Sequence, residues 1–205
     1  MEITDTAQSE VFERLARIIS RSLHIDVSQV TPDAYLDDLG AESLDLIEIS
    51  METEAEFNIW ISDKSILQTS DDVFGEGVLQ QDGVLTEAGK ALLRSRMSGI
   101  DSKFLEGEVA TKDLNHLFLK VSTWVAMIQG LMEYTPKTCP GCGASLAASV
   151  AFRMKCGQCG VETPLLSGEE LNKRWVREYY EKEYLPSRDA AQTPAVQSQR
   201  VVQAG

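Results

Sequence analysis

The chain begins with a helical alternation of apolar and polar positions. From Gln8 to Leu23, apolar side chains recur at spacings of three and four, and charged residues such as Glu10 and Arg14 stand between them. The apolar members are Val11, Leu15, Ile18, Ile19 and Leu23. This period predicts an amphipathic helix with one face in a core.

A second helix is predicted to begin at Ser43. Gly40 permits a tight turn before it, and Ser43 suits an N-cap or first-turn position. The apolar residues that follow at helical spacing are Leu44, Ile47, Met51 and Ala55, and the acidic residues between them are Asp45, Glu48, Glu52 and Glu56. We expect the apolar set to be buried and the acidic set to be exposed, with the helix ending between Phe57 and Ile61.

The middle of the chain is less regular and then becomes helical again. The segment 64–110 contains many Asp and Gly turn signals and one short predicted helix from Thr86 to Met97. Thr111 suits an N-cap, and the apolar period after it predicts one helix that continues through Ile128.

The end of the chain predicts one helix and a tail. Ser167 and Glu170 resemble a capping box, which would start a helix that reaches about Tyr184. Residues 186–205 are rich in Ala, Gln and small polar residues and predict a disordered tail.

Negative charge is concentrated in one segment. The net charge is −13, and eleven of the 32 acidic residues lie between Ser22 and Asp63, where there is no Lys or Arg. Such a field favours basic protein partners and opposes nucleic acid, because phosphate contacts require Lys and Arg. The segment 134–186 mixes bases with a near-equal number of acids and has no basic stripe, which disfavours a nucleic-acid-binding module.

The cysteines form two C-x2-C pairs. Thirteen residues separate Cys139/Cys142 from Cys156/Cys159, and the glycines around them permit tight turns. This spacing is typical of a zinc ribbon, in which four thiolates form a closed, structural, tetrahedral site. An iron site with the same ligands and a redox dithiol in one pair are the alternatives.

The same cysteines bear on the compartment. Paired C-x2-C motifs favour metal over disulfide in a reducing environment. No apolar run approaches the ~20 residues that span a bilayer, and the start of the chain lacks a signal-peptide pattern. We therefore expect a cytoplasmic protein without a transmembrane segment.

The run from Thr31 to Asp63 resembles the acyl carrier proteins. It contains T-P-D-A-Y-L-D-D-L-G-A-E-S-L-D-L-I-E-I and then E-x-E-F-N-I-x-I-S-D. In that family, the serine before the leucine carries 4'-phosphopantetheine through a phosphodiester, and the thiol of this arm holds acyl groups as thioesters. The resemblance implies attachment at Ser43. This chain departs from the family at Glu42, where Asp is most common, and at Thr53, where leucine is more usual.

The resemblance also implies partners and an acyl site. A phosphopantetheinyl transferase would load the serine, and acyl-chain synthases and acyltransferases would use the loaded carrier. Asp45, Glu48 and Glu52 are the candidate docking residues, which would raise the encounter rate and set orientation. The family shelters its acyl chain between the helices, which makes Leu46, Ile47, Phe57 and Val125 candidate wall residues. The alternative interpretations are a solvated acidic face and an ordinary helix core.

A second resemblance covers fewer positions. The segment Glu106–Thr111 is similar to the corresponding part of the specialised carriers that handle very long acyl chains for lipid A. The alternative is an ordinary surface loop that enters a helix.

These observations predict a mainly α protein. The expected organisation is an acyl-carrier four-helix bundle at 1–130 with an insertion at about 64–110, a small zinc ribbon at 134–166, a C-terminal helix at 167–185 and a disordered tail at 186–205. The expected function is that of an acyl carrier that presents thioester-linked chains to enzymes of fatty acid or lipid biosynthesis. The alternative is a noncatalytic zinc-ribbon adaptor whose carrier-like bundle is an interaction domain.

The sequence does not predict that this protein is itself an enzyme. His24 and His116 are the only histidines, and neither is paired in sequence with a nucleophile or a carboxylate in a recognisable motif. Acyl transfer or hydrolysis would require a base beside a nucleophile.

Overall fold

The computed structural model describes residues 6–62, 64–96, 102–146, 149–150 and 152–192. Its helices are α1 (Thr6–Leu23), α2 (Ser43–Phe57), α3 (Ile66–Phe74), α4 (Glu87–Arg96), α5 (Leu114–Phe118), α6 (Val121–Glu133), α7 (Gly168–Tyr179) and α8 (Leu185–Gln192). Its strands are β1 (Gln80–Gln81), β2 (Val84–Leu85), β3 (Ser149–Val150), β4 (Arg153–Lys155) and β5 (Glu162–Pro164). The described chain is mainly helical, as the sequence predicts.

The first core lies between α1, α2 and α6. Leu15, Ile18 and Ile19 of α1 are inaccessible to solvent or nearly so, and they meet Val125 and Ile128 of α6. The helix predicted over 8–23 is therefore confirmed, together with its buried face. Side chains of the loop between α1 and α2 close the remaining side of this core, and the result is the bundle expected of an acyl carrier.

The buried face of α2 is different from the one that the period predicted. Ile49, Thr53 and Phe57 are buried, and Leu46 packs partly against the same core. The predicted face of Leu44, Ile47, Met51 and Ala55 is exposed instead. Helix α2 carries apolar side chains on two faces, so its period alone could not decide which face would meet α1 and α6.

The single helix predicted from Thr111 through Ile128 is broken. A 3-10 turn at Thr111–Asp113 leads into α5, and Lys120 is extended, with φ −70° and ψ 129°, before α6 begins. At this break, the Leu36 N–H donates to the Leu119 carbonyl at 3.0 Å, and Tyr35 pairs with Lys120. A contact with a distant loop thus interrupts the helix, which local spacing could not reveal.

A second core is built by the inserted segment and α7. Side chains of α3 and α4 pack with Val176 and Tyr179 of α7, both of which are buried. Between α3 and α4, strands β1 and β2 form a hairpin in which Gln81 pairs with Val84 around an Asp82-Gly83 turn with positive φ at both residues. The short helix predicted over 86–97 is confirmed as α4.

The ribbon is a three-stranded antiparallel sheet with the order β3-β4-β5. Its core is small and contains Leu146, Met154 and Leu165 beside two cysteines. The Phe152 ring stacks on Trp60, with centroids 4.5 Å apart, and Phe152 takes a left-handed conformation with φ 60°. This stacking contact joins the ribbon to the chain that leaves α2.

The capping box at the start of α7 is confirmed. The Glu170 N–H donates to Ser167 Oγ at 3.2 Å, and the Ser167 N–H donates to Glu170 Oε2 at 2.9 Å. The Gly168 N–H donates to the Trp60 carbonyl at 2.7 Å, which places α7 against the segment after α2.

The helical region continues further than the sequence predicted. After α7, a π-helical turn spans Tyr180–Tyr184, and α8 runs from there to Gln192. The expected tail is therefore wrong for residues 186–192, while residues 193–205 lie outside the described part of the chain. The wide turn before Pro186 accommodates a residue that lacks an N–H, so the proline does not end the helix.

Candidate functional site

Ser43 is the first residue of α2 and is exposed. The preceding residue, Glu42, is the N-cap with an extended backbone, and its N–H donates to Asp45 Oδ2 at 2.8 Å. Glu42 and Asp45 therefore stabilise the start of the helix, and Ser43 takes the first-turn position of the two that its sequence context allowed. The Ser43 hydroxyl makes no hydrogen bond with any described residue, which leaves it accessible for chemistry.

The loop before α2 holds this serine in place. Leu36 is fully buried, and its carbonyl accepts the Ala41 N–H at 2.9 Å. Gly40 turns the chain with φ 93°, a conformation that side-chain-bearing residues rarely adopt. The loop before Ser43 is thus short and internally hydrogen-bonded, and Leu36 anchors it in the first core.

The sequence indicates no role for His116, yet the structure places it against this loop. Its Nδ1 lies 3.2 Å from Asp37 Oδ2, and its ring stacks on Tyr35 with centroids 4.0 Å apart. The contact ties α5 to the segment that leads to Ser43. Long-range backbone pairing, such as that of Tyr35 with Lys120 and of Leu36 with Leu119, brings these residues together, so no local signal could have found the contact.

The acidic face of α2 is divided into a paired and an unpaired part. Glu52 Oε2 lies 2.9 Å from Arg21 Nη2, and Glu56 Oε1 lies 2.8 Å from Arg14 Nε. Glu48 is exposed and has no partner among the described residues. Negative charge is therefore least compensated near Ser43, and Glu52 is less available for docking than its sequence position suggested.

An apolar stripe lies on the exposed side of α2. The exposed fractions are 80% for Leu44, 57% for Ile47 and 64% for Met51. Large apolar side chains at these successive helical positions form a continuous surface beside Ser43. Ile47 is therefore not a wall of the bundle interior. Of the other wall candidates, Phe57 and Val125 are buried and Leu46 is partly buried.

The four cysteine sulfurs form a second candidate site. All four Sγ atoms lie within 4.8 Å of one another, with Cys139 to Cys159 at 3.5 Å and Cys142 to Cys156 at 3.6 Å. Four thiolates around one zinc at about 2.3 Å would be separated by about 3.8 Å. The donor set and its spacing fit a tetrahedral metal site.

The turns around the sulfurs have the geometry that a metal-binding knuckle requires. Gly143 and Gly160 have φ near 75°, and their N–H groups each donate to the carbonyl of the first cysteine of their pair at 2.9 Å. The Gly141 N–H points to Cys139 Sγ at 3.4 Å. The backbone N–H groups of Cys159 and Gln158 lower the pKa of the Cys156 thiol to about 6. The backbone thus favours thiolate at this position.

Comparisons with known proteins cover the first part of the chain. The family model described as "Phosphopantetheine attachment site" matches residues 13–72. An acyl carrier protein of Guillardia theta is 48% identical over 64 residues, which are 31% of this chain and 79% of that protein. An acyl carrier protein of Thermotoga maritima is 43% identical over 65 residues, which are 31% of this chain and 80% of that protein.

A third relative, an acyl carrier protein of Helicobacter pylori strain J99, is 46% identical over 55 residues, 26% of this chain and 70% of that protein. No solved structure matches the chain. Within the described residues, none of the helices combines the length and the apolar character needed to cross a membrane.

Proposed function

The chain belongs to the acyl carrier protein family, and we propose that it carries 4'-phosphopantetheine on Ser43. The observation that carries the proposal is the exposed, unbonded hydroxyl at the first position of a 15-residue helix. Because Glu42 and Asp45 cap the start of α2, the Ser43 hydroxyl is not needed to stabilise the helix.

The start of α2 suits a phosphodiester. Unpaired N–H groups and the helix dipole at an N-terminus favour a negative group placed there. When bound, the arm supplies a thiol that holds acyl groups as thioesters. The chain itself supplies exposure and orientation, while the base that takes the Ser43 proton would come from the transferase.

The surface of α2 supports docking of basic enzymes in two steps. Glu48, with Asp45 beside it, would attract a positively charged partner, since charges raise the encounter rate more than the affinity. The apolar stripe of Leu44, Ile47 and Met51 would then be buried and contribute most of the binding free energy. The partners that we propose are a phosphopantetheinyl transferase, acyl-chain synthases and acyltransferases of fatty acid or lipid biosynthesis.

The interior of the first core is the proposed shelter for the acyl chain. Leu46, Phe57 and Val125 face this core, and Ile47 is excluded because it faces solvent. The resemblance of Glu106–Thr111 to carriers of very long chains extends the proposal to long cargo.

We assign one structural zinc to Cys139, Cys142, Cys156 and Cys159. Four thiolates leave no open coordination position, which favours a structural role over a catalytic one. A metal ribbon also agrees with the proposed cytoplasmic location, where thiols remain reduced. An iron site with the same ligands is the alternative that elemental analysis tests.

The proposed organisation keeps the bundle at 1–130 and the ribbon at 134–166. It no longer treats 167–185 as a separate helix, because α7 shares its core with the inserted segment at 64–110. The adaptor alternative makes the carrier-like bundle an interaction domain beside the zinc ribbon. Val176 and Tyr179 are buried, so this face of α7 is not available to such a partner.

The test is the intact mass of the full chain after coexpression with a broad-specificity phosphopantetheinyl transferase. We expect wild type to gain one arm and Ser43→Ala to gain none, with stability changed by less than about 0.5 kcal/mol because the side chain is exposed. Ser50→Ala, on the same helix, is the matched control and should be loaded like wild type. Wild type that stays unmodified with several transferases would refute carriage, and an adduct on Ser43→Ala would move the site.

A further inference from the structure

A buried hydroxyl without a partner lies in the face of α2 that closes the first core. Thr53 is 0% exposed, and its Oγ1 makes no hydrogen bond within the described residues. Ile49 and Phe57, one turn away on either side, belong to the apolar core. A hydroxyl in such surroundings has lost its hydrogen bonds to water and has gained none in return.

Two buried hydroxyls of α3 show the usual solution to this problem. Thr69 Oγ1 donates to the Ser65 carbonyl at 3.0 Å, and Ser70 Oγ donates to the Ile66 carbonyl at 2.6 Å. In both cases the acceptor lies one turn earlier in the same helix. The Thr53 hydroxyl makes no such bond, so it is available to a group that is not part of the described chain.

Thr53 also stands apart from the other unpaired hydroxyls. Ser22 Oγ and Thr163 Oγ1 are the other two buried side-chain oxygens without a partner in the described residues, but both of these residues are partly accessible. Thr53 alone of the three is wholly enclosed, and it is the one that faces the proposed shelter of the acyl chain.

We propose that the acyl chain carried by this protein bears an oxygen function along its hydrocarbon, and that this hydroxyl or carbonyl hydrogen-bonds to Thr53 Oγ1. The inference rests on the proposed function, which places the chain inside the first core. A threonine hydroxyl can donate to a carbonyl or exchange hydrogen bonds with a hydroxyl. A saturated chain would leave it unpaired, and sites with an unpaired polar group discriminate against such ligands.

The position of Thr53 limits where the oxygen can be. It lies ten residues after Ser43, which corresponds to about 15 Å along the helix axis. The oxygen must therefore reach well into the bundle from its mouth. A series of chains oxygenated at successive carbons will show one preferred position rather than a uniform effect.

The experiment loads the full chain with acyl-phosphopantetheine from a saturated acyl-CoA and from hydroxy- and oxoacyl-CoAs of equal length. The readouts are the unfolding midpoint and hydrogen exchange of the α2 amides. We expect one oxygenated chain to raise the midpoint by about 2–4 °C more than the saturated chain, the shift expected for one added hydrogen bond in a protein of this size. Exchange of the α2 amides should slow several-fold.

Three variants separate this contact from a general effect of polarity. Thr53→Val keeps the shape and removes the hydroxyl, and it should abolish the difference between oxygenated and saturated chains. Thr69→Val is the matched control, because it removes a buried hydroxyl that is already bonded, and it should preserve the difference. If Thr53→Val does not fold, Thr53→Ser is tested in its place. It keeps a hydroxyl and should preserve the preference.

Stabilisation by the saturated chain equal to that by every oxygenated chain would overturn the inference. A preference that survives Thr53→Val, or an ordered water bonded to Thr53 in the loaded protein, would do the same. The failure of the proposed function is distinguishable, because Ser43 would then accept no arm. Normal loading without a preference would refute only this inference.

Discussion

Among the described residues, the first core joins thirteen buried apolar side chains from α1, α2, α6 and neighbouring loops, whereas the ribbon core contains five residues, of which Cys139 and Cys156 are two. Burial of each large apolar side chain contributes about 1.5–3 kcal/mol, so the bundle has a large favourable term of its own. The ribbon has strands of only two or three residues and so small a core that apolar burial contributes much less free energy there. We therefore expect the folding of the ribbon, unlike that of the bundle, to depend on a bound metal.

The two regions also place their reactive atoms differently. The Ser43 hydroxyl lies outside the core that holds α2, so it can be replaced or modified without loss of the fold. Two of the four cysteines, Cys139 and Cys156, are buried in the ribbon core, while Cys142 and Cys159 are exposed beside them. Chemistry at the serine should therefore change function, while chemistry at the cysteines should change structure.

Metal removal tests this contrast most strongly. We predict that chelation, or Cys142→Ser, unfolds the ribbon while the bundle keeps its helicity, because zinc supplies most of the folding free energy of such a small unit. Elemental analysis will give one zinc per chain before chelation, and amide NMR dispersion with far-UV circular dichroism will follow the two regions separately. Iron in place of zinc would refute the metal assignment, and loss of bundle helicity would refute the independence of the two cores.

Charge reversal on α2 sharpens the contrast at the level of recognition. Glu48→Lys should slow loading of Ser43 several-fold at low salt, because its charge is not compensated by a neighbouring arginine. The effect should shrink as the Debye length falls from about 10 Å at 0.1 M to about 3 Å at 1 M. The measurement is the second-order loading rate, with Glu181→Lys, on the π turn after α7, as an exposed control. Equal slowing by both changes, or a rate independent of salt, would identify the acidic face as merely solvated.

The stacking of Phe152 on Trp60 is the place where the two regions can be separated with the smallest change. Phe152→Ala should destabilise the ribbon by about 0.5–1.5 kcal/mol, the usual contribution of an aromatic pair. Phe152→Gly should destabilise the ribbon by about 1 kcal/mol less than Phe152→Ala, because glycine adopts the left-handed conformation at this turn without strain. Denaturant unfolding followed by tryptophan fluorescence measures both.

The control for this prediction is Tyr134→Ala, which removes an exposed aromatic ring without a ring contact among the described residues. If Phe152→Ala is no more destabilising than Tyr134→Ala, the stack does not connect the two regions.

The comparison shows which features could be predicted from the sequence. The helix α1, the capping box at Ser167 and the short helix α4 depend on neighbours within a few residues, so their patterns were sufficient. The four cysteines were also recognisable, because two pairs at ribbon spacing permit few other arrangements. The family followed from the run around Ser43.

The buried face of helix α2 could not be predicted from its sequence. Its apolar residues occupy two faces, and only packing against α1 and α6 decided that Ile49 and Phe57 are buried while Leu44 and Met51 remain exposed. The pairing of Arg14 and Arg21 with the acidic face also depends on how two helices lie against each other. The sequence supplied the charges and the period, but it could not say which charges would be compensated.

The sequence by itself determined the serine motif, the negative charge around it and the set of candidate metal ligands, because each of these depends on residue identity and short spacing. The tertiary structure alone decided the break at Lys120, the packing of α7 on the inserted segment and the unpaired hydroxyl of Thr53. These features arise where residues far apart in the chain compete for the same core and the same hydrogen bonds, and local patterns contain no record of that competition.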